Sequence, residues 1–296
     1  MLIAFILISA IFLSVRLYKL PDTFTFAYDT QVEAEAAWNI YYGKKITLIG
    51  QETSIGGLFV GPFLFYLQTI AMIAGGFNPM SLAYLAVIIS FLTLIILFLV
   101  ISDLFNKKQA IIGTFLYAIS TKLASTDISS NALSYIMLNS LLIYWFSYKL
   151  FIKKQGKMLP LLALSIAASF NIHFALFLLI PIVICCFMIY RPKIKLKYYF
   201  SSTLIIIFSL LPIIIFELRH DFLITKNLLK FSSDQSSLLI VKVLDTINTF
   251  LAISNESMFF HNQFFTIITI LFFLGFVLIM LKNKKIKLLK FTLLFT

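Results

Sequence analysis

Apolar runs about as long as a bilayer is thick recur along this chain, and they restrict its fold more than any other feature. They lie at 1–17, 58–75, 79–102, 109–124, 131–150, 158–170, 173–190, 198–216 and 263–281. A helix rises about 1.5 Å per residue, so roughly 20 apolar residues cross a hydrocarbon core of about 30 Å. Charged residues make up 12% of the 296, where a soluble domain needs about a quarter. A globule of this composition could not cover itself with polar surface. Backbone groups in lipid must be satisfied within the segment, which leaves helices. The expected class is therefore all-α, a polytopic transmembrane helix bundle forming one membrane-embedded domain over residues 1–296.

Charge orients the runs. Lys and Arg cluster at Lys107–Lys108, at Lys149, Lys153, Lys154 and Lys157, from Arg191 to Lys197, and from Lys282 to Lys290. Cytoplasmic flanks carry such clusters. If all four face the cytoplasm, the spans from residue 79 onward alternate correctly. Asp103 is then the one acid on the inner side, and the two long spacers, 18–57 and 217–262, lie outside. The first run has no basic leader and no small-residue cleavage site before Arg16, so it reads as an uncleaved first helix with a cytoplasmic N-terminus. Run 79–102 must start outside to end at Lys107, so run 58–75 cannot cross. It is bounded by Gly56-Gly57 and Gly75-Gly76 and contains Gly61-Pro62, and it reads as an interfacial or re-entrant helix. The expected architecture is about eight transmembrane helices and two juxtamembrane ones. Residues 291–296 read as the first turns of a further span, which suggests a chain truncated at its C-terminus.

The first outer spacer is the densest in chemistry: Asp22, Tyr28, Asp29, Thr30, Glu33, Glu35, Trp38 and Gly43. Val32 to Trp38 favours helix, Gly43 is a stop signal, and Asp29 and Thr30 are residues that cap helix starts. Asp29 and Glu33, four apart, share one face. Asp29 then has two readings. It caps the helix, or it is a carboxylate at the membrane surface that takes a proton from an acceptor hydroxyl or amine.

Phe26-Ala-Tyr-Asp29-Thr-Gln-Val-Glu33, Gly43, Leu48 to Gly57, and Gly61-Pro62-Phe-Leu-Phe-Tyr66 together resemble the first-loop signature of C-type (multi-span) glycosyltransferases. The nearest set is the bacterial relatives of protein O-mannosyltransferases and aminoarabinose transferases. Asn171-Ile-His173-Phe and Phe216-Glu-Leu-Arg219-His220-Asp221-Phe resemble later outer loops of that family, in the same order. The resemblance implies a transferase that takes sugar from a polyprenyl-phosphate donor on the extracytoplasmic face of the plasma membrane and passes it to a glycan, lipid or protein acceptor. It implies Asp29 as the catalytic carboxylate. Many members carry an acid directly after that Asp. Here the residue is Thr30, and Glu33 or Glu35 would have to take the acid's place.

A polyprenyl-phosphate donor needs an apolar groove for its tail and fixed cations for its phosphate. Arg219 and His220, at the outer end of a span, suit the phosphate; snorkelling at the interface is the competing role for Arg219. Glu33, Glu52, Tyr66 and His173 complete the expected substrate-binding set. Lys226 and Lys230 read as interfacial, Lys44–Lys45 as contacts to membrane lipids, Arg16 as an anchor or a phosphate contact, and Asp127 as the cap of a helix starting near Asn131. No zinc spacing, phosphate-binding glycine loop or nucleophile elbow is present. No cofactor is called for and a divalent cation is left open. The net charge of +12 comes in clusters between apolar runs, which excludes nucleic-acid binding. Two other functions compete with the enzyme: a lipid or solute transporter, which would need ionisable groups deep in its spans, and a non-catalytic or truncated membrane protein.

Overall fold

In a computed structural model of the chain, residues 1–234, 291, 292 and 295 are described. Run 263–281 and the Lys282–Lys290 cluster lie outside these residues. Contacts divide the chain into one unit over Met1–Thr225 and a second over Lys226–Thr296. Helices are the regular elements of the first, apart from a single bridge between Glu52 and Phe59.

Helix α1 (Leu2–Leu17) leads through a short turn, α2 (Leu20–Thr23), into α3 (Tyr28–Tyr41). After an irregular stretch come α4 (Phe63–Ala74) and α5 (Met80–Leu104), then α6 (Lys107–Ile119), α7 (Thr121–Asp127) and α8 (Leu133–Ser147). A π turn over Tyr148–Ile152 continues α8 to a length that crosses a bilayer, and α5 and α11 (Leu196–Arg219) are also long and apolar enough. Between them stand α9 (Leu159–Ile172) and α10 (Leu179–Tyr190). After α11, α12 covers Leu223–Asp234. The chain is a multi-pass membrane bundle, and large apolar side chains such as Ile88, Leu116, Phe200 and Phe208 stay exposed on its outside, as a lipid-facing surface requires. The 12 residues of α4 reach only about 18 Å. It lies against α3, α5 and α9, in keeping with a juxtamembrane role for run 58–75.

Polar caps and small residues set the packing. Asn106 caps α6 by accepting from the Gln109 amide at 3.0 Å, which turns the chain sharply after α5. Ala163, Ala167 and Ser169 are buried along α9, and small residues let helix backbones approach closely. Asn139 of α8 reaches the Ser165 carbonyl and the Ser169 hydroxyl, both at 3.0 Å, and Asn171 donates to Ser209 of α11 at 3.1 Å. At one end of the bundle Asp103 of α5 accepts from Trp145 Nε1 of α8 at 3.0 Å and lies 3.6 Å from Lys149 Nζ, which sits over the Trp145 ring. This brings the lone acid of the basic flank to one of its cations.

The opposite end carries a second ion pair. Ser120 is extended and caps α7, so the Tyr117 and Ala118 carbonyls lose the donors that a continuous helix would supply. Arg16, fully buried at the end of α1, donates to both and to Asp127 at 2.8 Å. Tyr117 Oη donates to the other Asp127 oxygen at 3.0 Å. This corrects two expectations. Arg16 is a buried staple between helices rather than a membrane anchor or a phosphate contact, and Asp127 pairs with it rather than capping the helix near Asn131. The Asn131 side chain itself accepts from the Leu133 amide.

Candidate functional site

The site is built where α3 meets the stretch between α3 and α4. The expected cap at Asp29 or Thr30 is not made: Ala27 occupies the cap position, Tyr28 opens the helix, and Asp29 follows in its first turn. The carboxylate therefore lies near the positive end of the helix dipole, which favours its charge, with its oxygens free of capping duty. Gly43 lies just beyond the end of α3, as the stop signal implied, and Lys44 takes the left-handed conformation there.

Residues 50–60 fold back as a small hairpin, with Gly50 N donating to Val60 O and Val60 N to Gln51 O. Its neck is close-packed. A β-carbon on Gly50 would meet the Gly61 carbonyl, and one on Gly61 would meet the Asn171 amide oxygen, so both positions need glycine for lack of space. The hairpin rests on the end of α9, through Gly61 N to Phe170 O at 2.8 Å, and its Phe59 ring lies 6.2 Å from Phe216 of α11.

From that hairpin Gln51 donates to Asp29 Oδ1 at 2.8 Å. Asp29 is half-buried and its other oxygen makes no hydrogen bond among the described residues. One turn further, Glu33 is buried at 2% exposure. Burial pushes its carboxyl up to about 7, against the pull of Ser130 and Gln68 hydrogen bonds, and the neighbouring Asp29 charge pushes the same way. Thr30 shares a 2.9 Å hydrogen bond with the Ser130 hydroxyl, and Gln68 Nε2 points to the Ser130 carbonyl at 3.5 Å. A cavity of about 10 Å³ lies among Glu33, Gly50, Gln51, Gly61, Gln68 and Ile172.

The other expected residues surround this centre in different ways. Tyr66 commits its hydroxyl to the Thr47 backbone, donating to the carbonyl at 2.9 Å and accepting from the amide at 3.1 Å, and so ties the incoming segment to α4. Glu52 is exposed and accepts from Gly57 N at 2.6 Å, closing the hairpin tip. His173 is exposed and accepts from Ala175 N, capping a short turn after α9. His220 stacks on Phe216 with centroids 4.0 Å apart. Arg219 is exposed at the end of α11 with no hydrogen bond or ion pair among the described residues. Asp29 and Glu33 thus meet in one centre, Tyr66 and Glu52 shape the hairpin beside it, and His173, Arg219 and His220 mark the helix ends at this side of the bundle.

Gln68, Ser130 and Glu217 were missed by the sequence reading. Gln68 carried a signal, as an amide inside an otherwise apolar helix. Glu217 accepts from Ile224 N, Thr225 N and the Thr225 hydroxyl, so it orders the turn that follows Arg219. A wider groove of about 440 Å³ runs between the end of α1, the 23–25 segment and α7, lined by Thr23, Phe24, Thr25, Thr121 and Ser129. Among the described residues no three His, Cys, Asp or Glu side chains gather as metal ligands.

A family model described as dolichyl-phosphate-mannose-protein mannosyltransferase matches residues 60–216, just over half of the chain. The match begins at the end of the hairpin and covers α4 to most of α11, so Asp29, Glu33 and Glu52 precede it. No curated protein and no solved structure matches the chain.

Proposed function

The chain belongs to the dolichyl-phosphate-mannose-protein mannosyltransferase family, and from that premise we propose that it transfers a sugar from a polyprenyl-phosphate donor to a glycan, lipid or protein acceptor on the extracytoplasmic face of the plasma membrane. The observation that carries the reading is the state of Asp29. A half-buried carboxylate sits in the first turn of a juxtamembrane helix, one oxygen held by Gln51 at 2.8 Å, the other available.

In this mechanism the free Asp29 oxygen takes the proton of an acceptor hydroxyl or amine. The acceptor atom attacks the anomeric carbon, the bond from that carbon to the phosphate oxygen breaks, and the polyprenyl phosphate departs with the electron pair. The added charge on the departing phosphate calls for a cation with forked donors. We assign that role to Arg219, which is exposed at the end of α11 beside the Glu217-ordered turn. The lipid tail would run down the apolar outer faces of the helices.

Substitution of Asp29 tests the reading. Membranes bearing the protein, given labelled polyprenyl-phosphate sugars, are expected to transfer label. Asp29→Asn is expected to reduce the rate by about 10² to 10⁴-fold, the usual contribution of a positioned base, while the protein inserts in equal amount. Undiminished transfer by Asp29→Asn would sink the assignment. Solute flux that persists in that variant, with no transfer in either protein, would instead favour the transporter.

A further inference from the structure

Glu33 carries a buried chemistry that the proposed base does not use. Its Oε2 atom and the Oε1 atom of Gln68 are both buried without a hydrogen-bond partner. Both residues line the small cavity beneath the hairpin, and so does Gln51, whose amide holds Asp29. Two unpartnered oxygens on residues that line a space of about 10 Å³ want a hydrogen-bond partner, and a space of that size admits one water, which can both give and take hydrogen bonds.

We propose that Glu33 in its neutral form is a positioning residue for Asp29, acting through Gln51 and a single water molecule held in the cavity between them. This rests on the reading of Asp29 as the base. The neutral carboxyl and the water satisfy the cavity floor, and the hairpin settles onto it through the Gly50–Val60 pairing and the Gly61 contact with Phe170. Gln51 then stands where its amide meets Asp29. Ionised, Glu33 sets a second negative charge on the face that Asp29 occupies, in a site with little water to screen it. The charge pulls further water under the hairpin, and Gln51 loses its register on Asp29.

The surroundings leave Glu33 as the group that responds. On its own helix it faces Asp29. From α8 it faces Tyr135, whose hydroxyl is buried and unpartnered. The hairpin contributes Glu52, which is turned to its own tip. The α4 and α9 sides present uncharged Gln68 and Ile172. No cation of the described residues lies among these groups to hold Glu33 ionised, and its carboxyl is raised to about 7.

The experiment is the pH profile of sugar transfer by the membrane-bound protein, with a labelled polyprenyl-phosphate sugar as donor. The wild-type kcat is expected to fall above about pH 7. Glu33→Gln, which keeps the neutral shape, is expected to hold kcat within about threefold at pH 6 and to lose the alkaline fall. Glu33→Ala is expected to lower kcat about tenfold at every pH with the donor KM unchanged, since the water and the floor are both lost. A Glu33→Gln profile that keeps the alkaline fall, or a Glu33→Gln rate as low as that of Glu33→Ala at pH 6, overturns the proposal. The wild-type protein supplies a check free of substitutions: hydrogen exchange at the Gly50 and Val60 amides should quicken above pH 7 beyond the intrinsic pH effect, and unchanged protection also overturns it. Failure of the base itself is distinguishable. An active Asp29→Asn overturns the base and the positioning role together, whereas an inactive Asp29→Asn beside an unaltered Glu33→Gln profile overturns the positioning role alone.

Discussion

A carboxyl that is both buried and four residues from another acid is easier to protonate when the chain is folded than when it is not. Glu33 has an ordinary value of 4.5 and is raised to about 7 in the folded protein. The folded state therefore keeps a proton that the unfolded state releases. Stability from this group is complete below about pH 4.5, declines as the pH rises, and levels off past about 7, by about 3 kcal/mol in all. Glu33→Gln should remove that decline in thermal melts between pH 5 and 8, and equal slopes for the two proteins would count against a buried neutral Glu33. The Arg16–Asp127 pair predicts the opposite kind of effect. Both side chains are buried, at about 1% exposure each, so Arg16→Ala leaves a carboxylate without its cation and takes a donor from the Tyr117 and Ala118 carbonyls. A loss of about 3–5 kcal/mol is expected, seen as a lower melting temperature in detergent. Arg16→Ala with Asp127→Ala should recover part of it, and a double variant no better than the single one would refute the pairing. The acids and Arg16 were visible in the sequence. That Arg16 met Asp127, 111 positions away, was not, because the pairing depends on how α1 lies against α6 and α7.

The juxtamembrane elements act as one device. Helix α3 supplies Asp29 and Glu33, the 50–60 hairpin supplies Gln51, and α4 supplies Gln68 and the Tyr66 tie. The two juxtamembrane helices were legible from sequence: Ala-rich acidic residues favoured α3, and Gly-Pro boundaries set off α4. The hairpin was not, since its pairing spans few residues and its register depends on α9 beneath it. The neck tests this. Gly61→Ala sets a methyl against the Asn171 amide oxygen, so the hairpin must rise. A loss of about 1–3 kcal/mol is expected, together with a lower transfer rate, whereas Gly56→Ala at the open tip, where a β-carbon meets nothing within 4 Å, should change neither. Equal effects at both positions would show that the seating of the hairpin is immaterial. The cap reading of Asp29 failed for a local reason. The chain enters α3 extended at Ala27, two residues earlier than a cap at Asp29 and three earlier than one at Thr30.

At the scale of the bundle, contacts sort residues to two ends. Asp103, Trp145 and Lys149 meet at one, while Asp29, Ser130, Phe170 and Phe216 gather around the hairpin at the other. With Cys185 and Cys186 replaced by Ala, single cysteines at 52 and 219 should react with impermeant thiol reagents from outside intact cells, and single cysteines at 107 and 154 only after permeabilisation. The reverse pattern would invert the orientation. The sequence by itself determined the solvent and the class of fold: runs of apolar residues as long as a bilayer is thick admit helices and little else, and clustered cations fix which flanks share a side. It also marked the loop that bears the acids, because polar residues are costly in lipid and collect where water is. Tertiary structure alone decided which of those acids is buried and which is half-open, for burial is a property of neighbours that arrive from distant parts of the chain. The two carboxyls lie four residues apart on one helical face, and the helices and hairpin packed over them set them apart: Asp29 stays half-open with one oxygen held by Gln51, and Glu33 is enclosed, which raises its carboxyl.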